Sequence, residues 1–463
     1  VQRDRSIGEV QAAPEIRGVV RDGGVGDREA IAHVEVRTAA RADGGVPRDG
    51  RARDRGRLGL DGEATAVVGR VVDRKGRGID READHVGEDA ATIAAQVEKL
   101  GFQRSDVRHV VVTRDGRLAG VISERDLFAL QRASLRRATE RVRAAQTVAQ
   151  LAETAAESRL VARHLLAQGV DAEHVTQVTS ALNDGLSQRL IELVAPRHSL
   201  PSRWCWLARG SEGLLEQTLA TDQDNALIFA GEGDPEPARQ ALLAFANEVN
   251  VGLEACGFPL CAGDIMARNP RWCLTLAEWR RVFGDWIRNN QPEALLNAAI
   301  FFDFRPIAGD ASLAGELREA VLAQTRASAV FARAMVENAS SSRPPLGLLD
   351  GFVAADDGRF PGTIDLKASG ARPFVDAARV LSLAHALPAT GTAARLRAAG
   401  AAGVLPAEEV AASLDAFHYV QGLRLRRQHL EGELPKGSEN RIDPEKLNAV
   451  DRRILKAAFR QAA

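Results

Sequence analysis

The 463-residue chain has no aromatic residue before Phe102, and its first 87 residues hold only two leucines, Leu58 and Leu60, against sixteen arginines and fifteen glycines. Strings such as RDGGVGDRE and RDGRARDRGRLG sustain no helical or strand period, and a stretch so poor in large apolar side chains cannot offset its chain entropy by burial. The expectation for residues 1–87 is a disordered low-complexity segment. A second reading stands beside it, a non-native reading frame. Arginine outnumbers lysine 55 to 6 over the chain, as GC-rich coding DNA gives, and the first residue is Val1. Cysteine is scarce too: Cys205, Cys256, Cys261 and Cys273 are too few for a disulfide scaffold and lack the paired CxxC of a zinc site. No run approaches the ~20 apolar residues of a membrane span, and no secretory signal opens the chain. Charge of neither sign is in excess, with 61 Lys and Arg against 62 Asp and Glu, which argues against a protein that coats nucleic acid. The expectation is a cytoplasmic protein of several domains, without membrane or nucleic-acid partner.

From residue 88 the texture changes. Ala90–Leu100 alternates as a helix does. RHVVVTRDGRLAGVIS then predicts two strands, Val110–Thr113 and Leu118–Ile122, around an Asp115-Gly116 turn, and ERDLFALQR returns to helix. This β-turn-β-helix ending in GVISERDL resembles the second half of a CBS motif, a module that binds adenine nucleotides when two copies pair. The resemblance implies that Ser123 and Asp126 contact a ligand ribose. Support of the helix start by Asp126 is the alternative. The partner motif should precede this one, where the aromatic-free segment lies. Residues 131–195 read as helices, with Val175, Val178, Leu182, Leu186, Leu190 and Leu193 three or four apart behind an Asp171 cap. His164, His174 and His198 lack metal-ligand spacing and read as solvated or core residues.

The passage with chemistry is RWCWLARGSEGLLEQTLATDQDNALIFA, residues 203–230. Trp204–Leu207 predicts a strand, Gly210-Ser211 a turn into a helix over Glu212–Leu219, and Ala226–Phe229 a second strand. A Gly-Ser turn at a helix start offers free N–H groups and a hydroxyl to phosphate. Asp222 and Asp224, at i and i+2 on extended chain, point to one side, where they can hold one or two Mg²⁺ ions against a triphosphate. The order Gly-Ser, helix, D-x-D, strand resembles the nucleotidyltransferase fold of the DNA polymerase β type. GSEG..EQTLATDQDNALI resembles, more narrowly, the CBS-linked nucleotidyltransferase family related to the protein-PII uridylyltransferases. The resemblance implies Asp222 and Asp224 as catalytic metal ligands and Gly210 and Ser211 as the nucleotide-phosphate turn. Glu216, Gln217 and Asn225 match the family wording without a defined role. The family usually has Arg where this chain has Leu214, with Arg209 as a substitute approaching from another direction. A third carboxylate usually comes from a following strand. GFPLCAGDIMARNP is the candidate strand and Asp264 the candidate ligand, with a turn aspartate as the alternative. FFDFRPIAGD, residues 301–310, resembles the stretch that closes the uridylyltransferase catalytic domain, with Asp303 and Arg305 read as a buried ion pair.

Beyond residue 311 the pattern is helical, broken at Pro344-Pro345, Pro361-Gly362, Pro406 and Pro435. GTIDLKASGARPFVDAARVLSLAHAL and NRIDPEKLNAVDRRILKAAFRQA resemble the family's C-terminal substrate-binding domain. Lys367, Arg372 and Arg379 could neutralise phosphates, or Asp376 and Arg379 could be an i, i+3 surface pair. Val380, Leu383 and Leu387 should pack inward, and Arg424, Arg426, Arg427, Arg452 and Arg453 should form a solvated face.

The expected architecture is α+β: a polymerase β-like nucleotidyltransferase domain with a partial CBS motif before it and an all-α domain after it. Its boundaries are 1–87 low complexity, 88–130 partial CBS motif, 131–196 helical linker, 197–308 nucleotidyltransferase and 309–463 substrate-binding domain. The expected activity is Mg²⁺-dependent transfer of a nucleoside monophosphate from an NTP to an acceptor, by resemblance a PII-like protein in signal transduction. A catalytically inactive nucleotide-binding regulator is the alternative, and a scaffold that ignores Mg²⁺ and NTP a third. A homodimer stays open.

Overall fold

The computed structural model describes strand backbone at 15–21, 30–37, 67–72, 78–79, 107–114 and 117–123, then residues 135–289, 301–341, 344–347, 351–354, 359–430 and 437–463. These fall into two compact units, residues 1–137 with 167–169, and residues 138–166 with 170–463.

The first unit carries a six-stranded sheet. Strands β1 (Glu15–Arg21), β2 (Ala30–Arg37), β3 (Val67–Val72), β4 (Gly78–Ile79), β5 (Val107–Arg114) and β6 (Arg117–Ser123) lie in the order β4-β3-β1-β2-β5-β6. β5 and β6 pair antiparallel with Val111 opposite Val121, as the expected hairpin requires. β1 to β4 occupy a region where the pattern predicts no strand. EIRGVVR, AIAHVEVR and VVGRVV are short but rich in β-branched residues, which favour a pleated backbone even without leucine or aromatics. The helices expected at Ala90–Leu100 and at ERDLFALQR, with Asp126, lie outside the described residues.

In the second unit, α1 (Val148–Ala167) leads to α2 (Ala172–Val194). Asp171 caps α2 by accepting from the His174 N–H at 3.0 Å, and Val175, Leu182, Leu186 and Leu190 are buried along one stripe. Four strands follow in the order β10-β7-β8-β9: β7 (Arg203–Ala208), β8 (Asn225–Ala230), β9 (Cys273–Thr275) and β10 (Arg305–Gly309). Only β8 and β9 run parallel. The strand period of two divides the core. Trp206, Ala208, Leu227 and Phe229 pack with α2 and with α3 (Glu236–Ala255). Cys205, Leu207, Ala226 and Ile228 pack on the other face with α4 (Leu276–Arg288), Phe301, Phe302, Phe304 and α5 (Ala311–Arg326). Aromatics missing from the start of the chain concentrate here. Phe245 of α3 meets Trp204, Trp206 and His198 edge-on.

The remaining helices are α6 (Ala329–Ser341), α7 (Arg372–Ala384), α8 (Thr392–Ala401), α9 (Ala407–Leu430) and α10 (Ala449–Gln461). A short pair, β11 (Ile364–Asp365) with β12 (Arg441–Ile442), and a π-helical turn Leu366–Ala371 precede α7. Phe374, Phe417, Val420, Leu455 and Phe459 form the core of this part. Pro373 occupies the first turn of α7, where its missing N–H costs nothing.

Several expectations fail in instructive ways. The helix expected over Glu212–Leu219 is one turn, Gly210–Gly213, and Leu215 turns into the left-handed region at φ 60°. Tertiary bonds override helix propensity there: Glu216 accepts from the Thr392 N–H at 2.6 Å, and the Gln217 N–H donates to Ser180 Oγ at 3.3 Å. GFPLCAGDIMARNP is an irregular loop rather than a strand, broken by Pro259, by Asp264 at φ 51° and by Pro270. Asp376 and Arg379 are buried, not a surface pair, and Arg424 is buried against Gln421 and Asn440. Among the described residues no helix is long and apolar enough to cross a membrane.

Phe245 is fully buried between both tryptophans of β7. Phe245→Ala is expected to lower the unfolding free energy by about 3–5 kcal/mol, read by urea denaturation with tryptophan fluorescence. A loss below about 1 kcal/mol would contradict the packing described.

Candidate active site

Arg209 closes β7, and its N–H donates to the Asp224 carbonyl at 2.8 Å. This bond sets the Gly210-Ser211 turn beside the segment Asp222–Asp224 that enters β8. Gly210 has φ 52°, and a Cβ there would stand 2.5 Å from Asp224 Oδ2. Only glycine lets the carboxylate lie against the turn. Gly213 is equally constrained, since its Cβ would stand 2.4 Å from the Asp303 carbonyl oxygen. The Ser211 and Thr221 hydroxyls face each other at 3.3 Å.

The alternation expected across Asp222, Gln223 and Asp224 is present. Gln223 points inward and donates to the Asn250 and Phe258 carbonyls at 3.0 and 2.8 Å. Asn250 donates to Gln223 Oε1 at 2.8 Å and to Asn225 Oδ1 at 3.0 Å, and Asn225 Oδ1 also accepts from the Ala267 N–H at 2.8 Å. The Asn225 N–H donates to the Ile265 carbonyl. This amide network fastens the loop around residues 257–268 to β8 and gives Asn225 a role that its motif position left undefined. Spacing could not announce Asn250 or Cys261, because neither adjoins the motif.

The loop carries Cys261 to the acid pair. One oxygen each of Asp222 and Asp224 and the Cys261 sulfur all lie within 4.8 Å of one another. Asp264, the candidate third carboxylate, is not in this group. It accepts from Asn269 Nδ2 at 3.1 Å and pairs with Arg268 at 3.5 Å. Burial pushes the Asp224 carboxyl up to about 6, and the Asp222 charge adds to the shift. The Cys261 thiol, which donates to Asp224, and the Lys367 and Arg209 charges oppose it. Lys367, on the π-helical turn whose N–H groups Asp365 caps at 2.9 Å, thus brings a cation from the helical part of the chain toward the acid pair.

Arg209 does not present its side chain to this site. The guanidinium is buried over the Phe301 ring at 4.0 Å and the Trp279 ring at 4.7 Å, with no hydrogen-bond partner among the described residues. Nor is Arg305 paired with Asp303. Arg305 binds Asp184 at 2.7 Å and the Glu212 carbonyl at 2.9 Å. Asp303 instead takes Arg379 at 2.5 Å and Arg395 at 2.5 Å, and Arg379 also holds Asp376. Burial disfavours the Asp303 charge, but the two guanidinium groups outweigh it and hold its carboxyl below the usual range. Ser123 ends β6 in the other unit.

Two carboxylates at the end of a strand, open to solvent through Asp222, suit a hard divalent cation such as Mg²⁺, which takes oxygen donors and keeps sites for phosphate and water. The thiol is not an Mg²⁺ donor. Residues 156–293 match the family model described as Putative nucleotidyltransferase DUF294, and residues 329–463 match the one described as Putative nucleotidyltransferase substrate binding domain. These two segments are similar to the two domains of this nucleotidyltransferase family. Residues 86–132 match the CBS domain model, and no curated protein matches the chain. The Gly-Ser turn, the acid pair, Asn250 and Cys261 lie in the first matched segment. Lys367, Arg379 and Arg395 lie in the second. The two matches support nucleotidyl transfer as the class of reaction.

Glu212, buried beside this site, is pushed up to about 8 from 4.5, chiefly by burial and then by the Asp184 charge, with Arg305 opposing. A carboxyl raised on folding contributes stability that is present at low pH and lost as pH rises through its folded value. The thermal midpoint is therefore expected to fall between about pH 4.5 and about pH 8 and to level off above that, and Glu212→Gln is expected to flatten that slope, followed by calorimetry across the range. An unchanged slope in the variant would contradict the buried acid.

Proposed function

We propose that the chain transfers a nucleoside monophosphate from an NTP to an acceptor, with Mg²⁺ held by Asp222 and Asp224. The observation that carries this reading is the contact of Asp224 with the Gly210 turn, which places metal-capable oxygens beside the Gly-Ser segment. When bound, Mg²⁺ supplies charge neutralisation at the triphosphate. Asp224, with its value near 6, is ionised at neutral pH and available to it. The Gly210-Ser211 turn holds the β- and γ-phosphates through N–H groups and the Ser211 hydroxyl. Lys367 adds the cation that the family's usual arginine at the Leu214 position would supply. In the transfer, an acceptor oxygen bonds to the α-phosphorus, the bond from that phosphorus to the pyrophosphate oxygen breaks, and the hydroxyl proton leaves to solvent. By resemblance the acceptor is a PII-like protein and the setting signal transduction in the cytoplasm. Adenine nucleotide at Ser123 and Asp126 belongs to the same reading.

Leu214, and the absence of Asp264 from the donor group, favour a second reading: a regulator that binds nucleotide without transferring it. The purified chain, incubated with Mg²⁺ and each α-labelled NTP, with and without cell extract, separates the two. Transfer predicts pyrophosphate release that falls at least about a hundredfold in Asp222→Asn and in Asp224→Asn. Lys367→Ala is expected to raise KM for NTP about tenfold, and Lys367→Arg to restore most of it. NTP binding without release supports the regulator, and absence of binding removes both readings.

A further inference from the structure

Cys261 is the one member of the donor group to which phosphoryl-transfer chemistry assigns no task. Its sulfur is soft, whereas Mg²⁺ and phosphate call for hard oxygens. It is nonetheless held in place, because the amide network of Gln223, Asn225 and Asn250 ties its loop to the strand that carries the acid pair. The other three cysteines are buried, at 0, 1 and 0 % exposure for Cys205, Cys256 and Cys273, while Cys261 is half-buried. Neither Asp222 nor Asp224 is in ion-pair contact with a Lys or Arg among the described residues. The three donors thus form a partly exposed group of net negative charge, in which the thiol donates to Asp224 and the Ile265 and Gly263 backbone groups bond to the sulfur.

We propose that Asp222, Asp224 and Cys261 form a three-donor site for a thiophilic divalent cation of the Zn²⁺ class, which shares the two carboxylates with the catalytic metal and so displaces it. Zn²⁺ holds oxygen at about 2.0–2.2 Å and sulfur at about 2.3 Å, so its donors stand roughly 3–4 Å apart. Ligand atoms already within 4.8 Å of one another reach that arrangement by small side-chain rotations. Binding releases the thiol proton to solvent and leaves the thiolate on the ion, with no change of oxidation state. Two carboxylates and one thiolate leave a fourth tetrahedral position for water. A soft thiolate favours Zn²⁺ over Mg²⁺, which takes oxygen donors and holds its waters. The site would then act as a brake that trace Zn²⁺ applies and a chelator lifts. The displacement rests on the transfer reading given above; the three-donor site itself does not.

The test uses the full chain, freed of metal. Co²⁺ titration is expected to raise a near-ultraviolet thiolate-to-cobalt absorption band that Cys261→Ser abolishes. Zn²⁺ affinity, measured by competition with a chromophoric chelator, is expected to fall at least about tenfold in Cys261→Ser and in Asp222→Asn. Mn²⁺ binding, followed by electron paramagnetic resonance, is expected to weaken in Asp222→Asn far more than in Cys261→Ser. Circular dichroism confirms that the variants fold. A Co²⁺ band that survives Cys261→Ser, or Zn²⁺ affinity equal in wild type and both variants, overturns the three-donor site. A band that survives Asp222→Asn at full affinity reduces it to a metallated thiol and also overturns it. Mn²⁺ binding indifferent to Asp222 sinks the carboxylate metal site of the transfer reading, a result separable from the fate of the sulfur.

Discussion

Asp222 and Asp224 stand one residue apart at the mouth of β8, and like charges at that spacing repel. The fold answers the repulsion locally. A glycine with positive φ makes room for one carboxylate, a thiol donates to it, and a lysine from the helical part lends its field. None of these is an ion-pair contact. The pair is therefore kept ionisable and approachable instead of being neutralised, which is what a cation site requires and what a structural salt bridge would prevent. The amide network of Gln223, Asn225 and Asn250 makes the arrangement rigid, because the Gln223 and Asn250 amides and the Asn225 Oδ1 find their partners only when loop, strand and helix are all in place.

Legibility followed the range of the interactions. The acid pair, the Gly-Ser turn, β7 and β8 were readable because every element involved is contiguous in sequence and its periodicity is local. The cap on α2 and the β5–β6 hairpin were readable for the same reason. The helix expected after Ser211 failed because its fate is decided by Thr392 and Ser180, both distant along the chain. Asp264 attracted attention by type and position, yet a left-handed turn points it to Asn269 and Arg268. Cys261 was weighed only with the other three cysteines, whose positions carry no metal-ligand spacing and do not point to the acid pair.

Charge was the least legible property. Arg379 sits three residues after Asp376 and looks like an ordinary helical surface pair, but its second partner, Asp303, lies 76 positions earlier. Arg424 looks solvated among neighbouring arginines, and burial lowers it to about 10. Arg209 adjoins the Gly-Ser turn in sequence and yet lies among aromatic rings. In each case the backbone position was right and the side-chain direction was set by packing that a linear pattern does not record.

The clamp on Asp303 has a consequence for how the chain can be divided. Its carboxylate belongs to the segment that leads into β10, while both of its guanidinium partners come from α7 and α8. A cut anywhere between would strand one anion in the interior of one fragment, and on the freshly bared face of the other it would leave Arg395 without its anion and Arg379 with Asp376 alone. The sheet that carries the acid pair and the helices that follow it match two separate family models, yet they share one buried ion cluster.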